Sequence, residues 1–392
     1  MKGFLILEDG SCFEGLLFGD TTKSESFGEA VFNTAMAGYE EVLTDPSYRG
    51  QIVVMTYPHQ GNYGITTEDG ESGAIHVAGF VVRELTLEPS SWRAKLSLSQ
   101  ALGKAGITGI SGVDTRQITL ALRRQGAMRG AIFKAVPSLT GKKLERWIAS
   151  MVAKVRASAT MEGLALADKV SVKSATPFSN SQLTTRISAS GAPGAESSAI
   201  GHDSRLRVAV WDFGVKQSIL RNLENLGYAV TLFPYQSKAD EILSTNPQGI
   251  VLSNGPGDPA VLGHAIGEIK ALIHKNKKPP ILGICLGHQL LGIACGGKTY
   301  KMRFGHHGVN HPVKNIQSSR VWISSHNHGF AVAPESLPSG VEPTYTSLND
   351  QTLEGMASRE LGFFSVQFHP EAAPGPTEAA GIFKQFAQEM AG

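Results

Sequence analysis

A cysteine between two glycines, in Gly283-Ile-Cys285-Leu-Gly287, has the form of a nucleophile on a tight turn. An apolar run precedes it and a helical pattern follows it. The glycines allow a sharp turn, and the amino end of a following helix favours a thiolate. The backbone N–H of Leu286 is then free to donate to an oxyanion. Taken alone, the motif is equally consistent with a buried structural cysteine.

A base for this cysteine is offered by the segment Phe368-His-Pro-Glu371. Residues two apart in an extended chain point to the same side, so Glu371 can orient the imidazole of His369. A lone His-Pro-Glu segment is typical of a surface turn. Together with Cys285 it predicts a catalytic arrangement of nucleophile, base and orienting carboxylate.

A third element is the loop Ser253-Asn-Gly-Pro-Gly-Asp-Pro259. Two glycines and two prolines fix a rigid backbone whose N–H groups suit a carbonyl or an oxyanion. Without the other two motifs, an ordinary strand-to-helix turn would be the better interpretation.

The elements around these motifs alternate between short apolar strands and helices. We predict strands at 207–212, 228–233, 248–253 and 280–284, with helices at 216–226, after Pro259 and at 286–294. Shorter strands are predicted at 320–323, 353–357 and 363–368, and a last helix at 377–390. This order predicts an α/β fold for residues 206–392, with a doubly wound, mostly parallel sheet and helices on both faces.

The first half has a different pattern. Strands are predicted at 4–8, 12–17, 29–33, 52–56 and 76–82, and helices follow at 96–105 and 115–125. Strands followed by helices indicate an α+β domain, which we assign to residues 1–167. A Ser/Ala/Gly-rich stretch over residues 168–205 is typical of a linker. These patterns alone predict no function for the first domain.

Composition excludes several classes of protein. The 392 residues are 41% hydrophobic and 18% charged, with a formal net charge of +2 and no basic stripe. We therefore expect neither nucleic-acid nor membrane binding. The apolar run at the amino terminus is broken by Glu8 and Asp9, too early for a signal peptide. Three cysteines are a sparse set that fits a reducing compartment, so we expect a cytoplasmic protein.

Several other patterns resemble functional motifs. Residues 292–299 match the phosphate-loop pattern, but a helix precedes them and a strand follows, so we predict a helix C-cap and turn. His306, His307 and His311 are interrupted by glycine and proline, and we predict a polar loop with no metal site. Cys12 and Cys295 have no evident chemical partners and are predicted to be structural.

Residues 283–289, 254–258 and 367–371 together resemble the class I (triad) glutamine amidotransferases. The first half is similar to the small chains of carbamoyl-phosphate synthases at residues 31–48, 56–62 and 109–116. Residues 304–312 and 328–330 also fit this resemblance, whereas residues 178–204 look like an insertion.

The resemblance implies a set of positions that hold a glutamine substrate. One of them belongs to the first domain, which implies that glutamine binds near the domain interface. The positions are Ser47, Gly255, Gly257, Leu286, Gln289, Asn327, Gly329 and Phe330.

The resemblance further implies a glutaminase subunit that forms a Cys285 thioester and passes ammonia to a large synthetase subunit. ATP and Mg²⁺ are then expected on that partner, and no cofactor in this chain. One alternative is a freestanding cysteine amidohydrolase acting on γ-glutamyl compounds, and another is a catalytically idle docking subunit. Glutamine hydrolysis that is vigorous without a partner would favour the first alternative.

Overall fold

The computed structural model describes residues 1–179 and 205–391, and its first half is built on a closed β-barrel. Seven strands close the barrel in the order β1-β2-β8-β6-β4-β3-β9, while β5 and β7 pair separately. The strands are β1 (Lys2–Leu7), β2 (Cys12–Gly19), β3 (Glu25–Asn33), β4 (Gln51–Met55), β5 (His59–Gln60), β6 (Gly79–Val81), β7 (Glu84–Leu85), β8 (Thr108–Ser111) and β9 (Met128–Lys134). The helices are α1 (Tyr39–Thr44), α2 (Leu98–Lys104), α3 (Thr115–Gln125) and α4 (Gly141–Ala157).

The barrel forms because side chains alternate between two apolar environments along each strand. On β1, Leu5 and Leu7 join one buried cluster, whereas Phe4 and Ile6 join another that includes residues of α4 such as Trp147. The predicted α+β character of the first domain is therefore confirmed. Closure of its strands into a barrel was not predicted, because it depends on pairing between strands far apart in sequence.

The second half forms a ten-stranded sheet in the order β10-β12-β11-β13-β14-β19-β18-β17-β15-β16. Its strands are β10 (Thr176–Pro177), β11 (Arg207–Asp212), β12 (Ala229–Pro234), β13 (Gly249–Leu252), β14 (Ile281–Ile284), β15 (Thr299–Asn315), β16 (Val321–Val332), β17 (Glu342–Ser347), β18 (Leu353–Ser358) and β19 (Phe363–Val366). Its helices are α5 (Gln217–Asn225), α6 (Ala239–Ser244), α7 (Gly263–Ile273), α8 (Leu286–Ala294) and α9 (Gly381–Ala391).

The predicted doubly wound α/β fold is confirmed in the part of this sheet that runs from β12 to β19. There the strands are parallel, and alternate residues of β11 face opposite layers. Ala209 and Trp211 pack with α6, α7 and α8, whereas Val208 and Val210 pack with α5 and α9. Helices therefore cover both faces, as buried parallel strands require.

The rest of the sheet is antiparallel, and here the sequence-based predictions fall short. The predicted polar loop around His306, His307 and His311 is wrong, because all three lie on the long strand β15, which pairs with β16. The pairing of β15 with β16 shifts register between residues 301 and 306 and between residues 308 and 311. These irregularities accommodate the glycines that had favoured a loop in the sequence-based prediction.

The predicted linker also begins too early. Ala167 is fully buried in the core of the second domain, and Thr176 pairs with Leu232 at the edge of its sheet. Residues 168–179 thus pack on the second domain instead of connecting the two. Residues 180–204, which complete the predicted linker and insertion, lie outside the described residues. No helix within the described ranges is long and apolar enough to cross a membrane.

Close packing of α8 against β13 requires glycine at position 287. A Cβ atom there would meet the backbone oxygen of Leu252. We expect Gly287→Ala to lower the free energy of unfolding by about 1–3 kcal/mol, measured by chemical denaturation. The control is Gly267→Ala on α7, where a Cβ meets nothing within 4 Å, so stability should be unchanged or slightly higher. Equal effects of the two substitutions would contradict this account.

Candidate functional site

The parallel pairing of β14 with β19 brings the two principal chemical groups to the same edge of the sheet. Ile284 lies opposite Val366, and the backbone N–H of Cys285 donates to the carbonyl oxygen of Val366 at 2.9 Å. Three residues further, the N–H of His369 donates to the carbonyl of Ser325 at 2.8 Å. Carboxyl ends of parallel strands are where ligands bind in open α/β sheets.

Cys285 has a backbone conformation that is rare for a residue with a side chain. Its φ is 53° and its ψ is −103°, and it forms the N-cap of α8. Such conformations cost on the order of 1–3 kcal/mol and are concentrated at functional sites. The thiol is buried, and its Sγ lies 3.6 Å from the carbonyl oxygen of Asn327.

His369 and Glu371 form a short hydrogen bond in a fully buried setting. Nδ1 of His369 lies 2.7 Å from Oε1 of Glu371, so the Nδ1 hydrogen is directed to the carboxylate. Nε2 has no hydrogen-bond partner among the described residues, which leaves it free to act on a proton. Burial lowers the pKa of His369, but the negative charges of Glu371 and Cys285 outweigh it and raise the pKa to about 10.

Lys216 is a third charged group of this site, and sequence reasoning missed it. Its Nζ lies 2.9 Å from Oε1 of Glu371 and 4.0 Å from Oε2 of Glu71 in the first domain. Burial raises the pKa of Glu371, but Lys216 and His369 outweigh it and lower the pKa to about 2. Because Lys216 is far from Glu371 in sequence, no spacing rule could have paired them.

A pocket opens beside Cys285 and encloses about 340 Å³, part of it open to solvent. Seven of the eight predicted glutamine-binding residues line it, together with the cysteine. The exception is Leu286, whose side chain is buried in the core beneath α8, although its N–H begins the helix. Sequence reasoning missed the other lining residues, which are Gln51, Met161, Pro256, Lys301 and His328.

The first domain completes one wall of this pocket. Asn254 donates its side-chain N–H to Oγ of Ser47 at 2.9 Å. Asn327 donates to the carboxylate of Asp45 at 2.7 Å, and the same carboxylate accepts from the N–H of Ser47 at 2.9 Å. Ser47 therefore lies at the interface between the two domains.

The loop of residues 253–259 is held on both sides. A Cβ at Gly255 would meet the backbone oxygen of Phe213, and Gly257 has a φ of 93°. The N–H of Asp258 donates to the carbonyl of Leu164 at 3.0 Å. The loop is thus rigid, and the glycines are required by close approach and by backbone conformation.

The phosphate-loop-like segment and the other two cysteines do not line the pocket. Residues 292–299 run from helix α8 into strand β15, the reverse of a phosphate loop. Cys295 and Cys12 pack partly buried against the cores, and burial raises their pKa values to about 12 and about 11. Neither thiol has the electropositive surroundings of a nucleophile.

The three histidines of β15 have different surroundings. Nδ1 of His307 lies 3.0 Å from Oδ1 of Asn327, beside the pocket. His306 instead joins a buried group with His326, His328 and Glu354, whose possible ligand atoms all lie within 4.8 Å of one another. In residues 1–179 and 205–391 this is the one group with the geometry to hold a metal ion.

Comparison with known proteins is consistent across the whole chain. Residues 209–389 match the family model for class-I glutamine amidotransferases, and residues 5–132 match that for the CPSase domain of carbamoyl-phosphate synthase small chains. The chain is 47% identical over 391 residues to the carbamoyl phosphate synthase small chain of Akkermansia muciniphila, covering 100% of this chain and 98% of that protein. It is 46% identical over 386 residues to the protein of the same name from Clostridium perfringens, covering 98% and 99%.

Lys216 neutralises two buried carboxylates, so its removal should be costly. We expect Lys216→Met to lower the free energy of unfolding by about 3–5 kcal/mol, because Glu371 and Glu71 each lose a buried, positively charged partner. Chemical denaturation at pH 7 measures the effect. The control is Lys270→Met on the exposed face of α7, which should change stability by less than about 0.5 kcal/mol. A loss no larger than that of the control would refute the role of Lys216.

The protonation of His369 should depend on its two neighbours. We expect the wild-type imidazole to stay protonated until the pH approaches 10, and to titrate at lower pH in both Glu371→Gln and Cys285→Ala. NMR of ¹³C-labelled histidine, recorded over a pH series in the wild type and both variants, measures this. Because the folded pKa is raised, the stability it contributes is complete below pH ~6.5 and is lost as the pH rises through about 10. An unchanged titration in both variants would show that the coupling is absent.

Proposed function

This chain belongs to the family of carbamoyl-phosphate synthase small chains, and we propose that it hydrolyses L-glutamine at Cys285 to supply ammonia to a separate synthetase subunit. The observation that carries the proposal is the buried arrangement of Cys285, His369 and Glu371 beside a pocket walled by both domains. A nucleophile, a base and an orienting carboxylate are the groups that acyl transfer from an amide requires.

In the first half of the proposed reaction, the Cys285 thiolate attacks the side-chain amide carbon of glutamine. The oxyanion accepts hydrogen bonds from the N–H of Leu286, at the start of α8, and from Gly257. His369 gives its proton to the departing nitrogen, which leaves as ammonia. The product on the enzyme is a γ-glutamyl thioester.

In the second half, His369 removes a proton from water, which attacks the thioester and releases glutamate and the thiolate. Glu371 holds the imidazole so that Nε2 faces the reacting atoms. Lys216 supports this indirectly by keeping Glu371 ionised. It is therefore a positioning residue, since it does not touch the substrate.

Substrate recognition is assigned to polar groups of the pocket wall. Gln289 donates its side-chain N–H groups to the carbonyl of Phe330 at 2.7 Å and to Gln367 at 3.1 Å. These two hydrogen bonds fix the side-chain amide of Gln289. Its Oε1 then remains available to accept a hydrogen bond from the substrate. Ser47 and Asn327 add polar groups, and Gly255, Gly257, Gly329 and Phe330 add the backbone.

A second cavity of about 270 Å³ supports transfer of the ammonia away from the nucleophile. It is lined by His369 and by first-domain residues such as Asn33 and Tyr48. The proposed partner is the large subunit of carbamoyl-phosphate synthase, which would bind bicarbonate, ATP and Mg²⁺.

The proposal is tested with Cys285→Ala assembled with the synthetase subunit. We expect carbamoyl phosphate formation from glutamine to fall by about three orders of magnitude or more, because the nucleophile is lost. Formation from free ammonia should persist, since it bypasses this site. Cys295→Ala is the matched control and should retain both activities. Glutamine-dependent synthesis that survives in Cys285→Ala would refute the mechanism.

A further inference from the structure

Four buried side chains with metal-binding atoms meet on the antiparallel half of the second sheet. They are His306 on β15, His326 and His328 on β16, and Glu354 on β18. Each is at most 5% exposed. His306 and His328 are directly paired across the strands, and His326 lies two residues before His328, on the same face. No step of the proposed glutaminase mechanism uses any of the four, although His328 also lines the glutamine pocket.

Their spacing is close to that of ligands around one small ion. Nδ1 of His326 lies 3.1 Å from Nε2 of His328, and Oε1 of Glu354 lies 3.3 Å from Nδ1 of His306. Oε2 of Glu354 lies 3.7 Å from Nδ1 of His326. Ligands bound tetrahedrally to Zn²⁺ at 2.0–2.1 Å are separated by about 3.4 Å.

The outward-facing nitrogen of each histidine has a partner suited to accept its hydrogen. Nε2 of His306 lies 2.9 Å from the carboxylate of Asp350, and Nδ1 of His328 lies 3.0 Å from the carbonyl of Phe330. Nε2 of His326 lies 2.8 Å from Oγ of Ser324, whose own hydrogen is directed to the carbonyl of His311 at 3.0 Å. Hydrogen bonds of this kind fix the tautomer of metal-bound histidines.

With the hydrogens on the outer nitrogens, the inner atoms are all acceptors. The lone pairs of His326 Nδ1 and His328 Nε2 then face each other at 3.1 Å. Neither carboxylate oxygen of Glu354 receives a hydrogen bond from the described part of the chain, although the residue is fully buried. Buried acceptors without a donor are costly, and a cation between them would satisfy all four.

We propose that His306, His326, His328 and Glu354 bind one divalent transition-metal ion, Zn²⁺ by preference, in a closed structural site. Imidazole and carboxylate ligands suit Zn²⁺, whereas Mg²⁺ and Ca²⁺ require oxygen ligands. The charges of Glu354 and Asp350 together balance the two positive charges of the ion. The proposal reverses the expectation from sequence that these histidines hold no metal.

The ion would join β15, β16 and β18 beside the glutamine pocket. Asn327 lies between two of the ligands on β16, and Gly329 and Phe330 follow directly. All three residues line that pocket. The metal would therefore stabilise the strand that carries this wall, without contacting the substrate.

The test begins with the metal content of the full-length chain, by elemental analysis. We expect one Zn²⁺ per chain. After a chelator removes the ion and lowers the thermal melting temperature, adding back one equivalent of Zn²⁺ should restore it. Bound Co²⁺ should show the visible absorption of tetrahedral coordination. Competition with a chromogenic chelator should show at least about tenfold weaker Zn²⁺ binding in Glu354→Gln and His326→Gln. The exposed His264→Gln is the matched control and should bind as the wild type does.

Asp350→Asn separates metal binding from folding, because Asp350 is partly exposed and leaves the four ligands in place. We expect its Zn²⁺ affinity to fall about 10- to 100-fold while the metal-free variant still folds and shows a cooperative melting transition. Absence of stoichiometric metal, with no change in melting on adding Zn²⁺, would overturn the proposal in favour of a network of protons only. Equal Zn²⁺ affinity in the wild type, Glu354→Gln and Asp350→Asn would overturn it in favour of binding elsewhere.

Discussion

The parallel pairing of β14 with β19 is the constraint on which the rest of the site depends. One strand ends just before Cys285 and the other leads to His369, so their register sets the position of the thiol relative to the imidazole. The strands are buried on both faces by helices of the two layers, which leaves little freedom to slip. This packing holds the strained backbone at Cys285, and α8 begins at the next residue.

Much of this centre could be predicted from sequence because its signals are local. The glycines lie within two residues of the cysteine, and the carboxylate lies two residues from the histidine. Their chemical relation can therefore be recognised from spacing alone. The alternation of buried strands and helices likewise predicted which elements bear Cys285 and His369. Helices α3 and α8 and strand β11 have the bounds that were predicted for them.

The features that escaped prediction are those made by contacts between distant segments. Lys216 meets Glu371 only when distant segments of the second domain fold together, and it meets Glu71 only after the two domains pack. Closure of the barrel likewise pairs β1 with β9. The histidines of β15 were assigned to a loop because glycine and proline interrupt them. In the folded sheet, irregular register accommodates the glycine and proline residues. His306 and His307 are then buried among strands, whereas a loop would have exposed them to solvent.

The contacts between the domains have a further consequence for how the two halves of the chain can be separated or exchanged. Ser47, Asp45 and Glu71 belong to the first domain, yet they bond to Asn254, Asn327 and Ser218 of the second. The second domain cannot therefore be excised as a complete unit, since one wall of its pocket and a partner of its buried lysine would be left behind. Recombination that exchanges one half of the chain has to preserve these polar pairs. The two halves are, in this sense, constrained to evolve together.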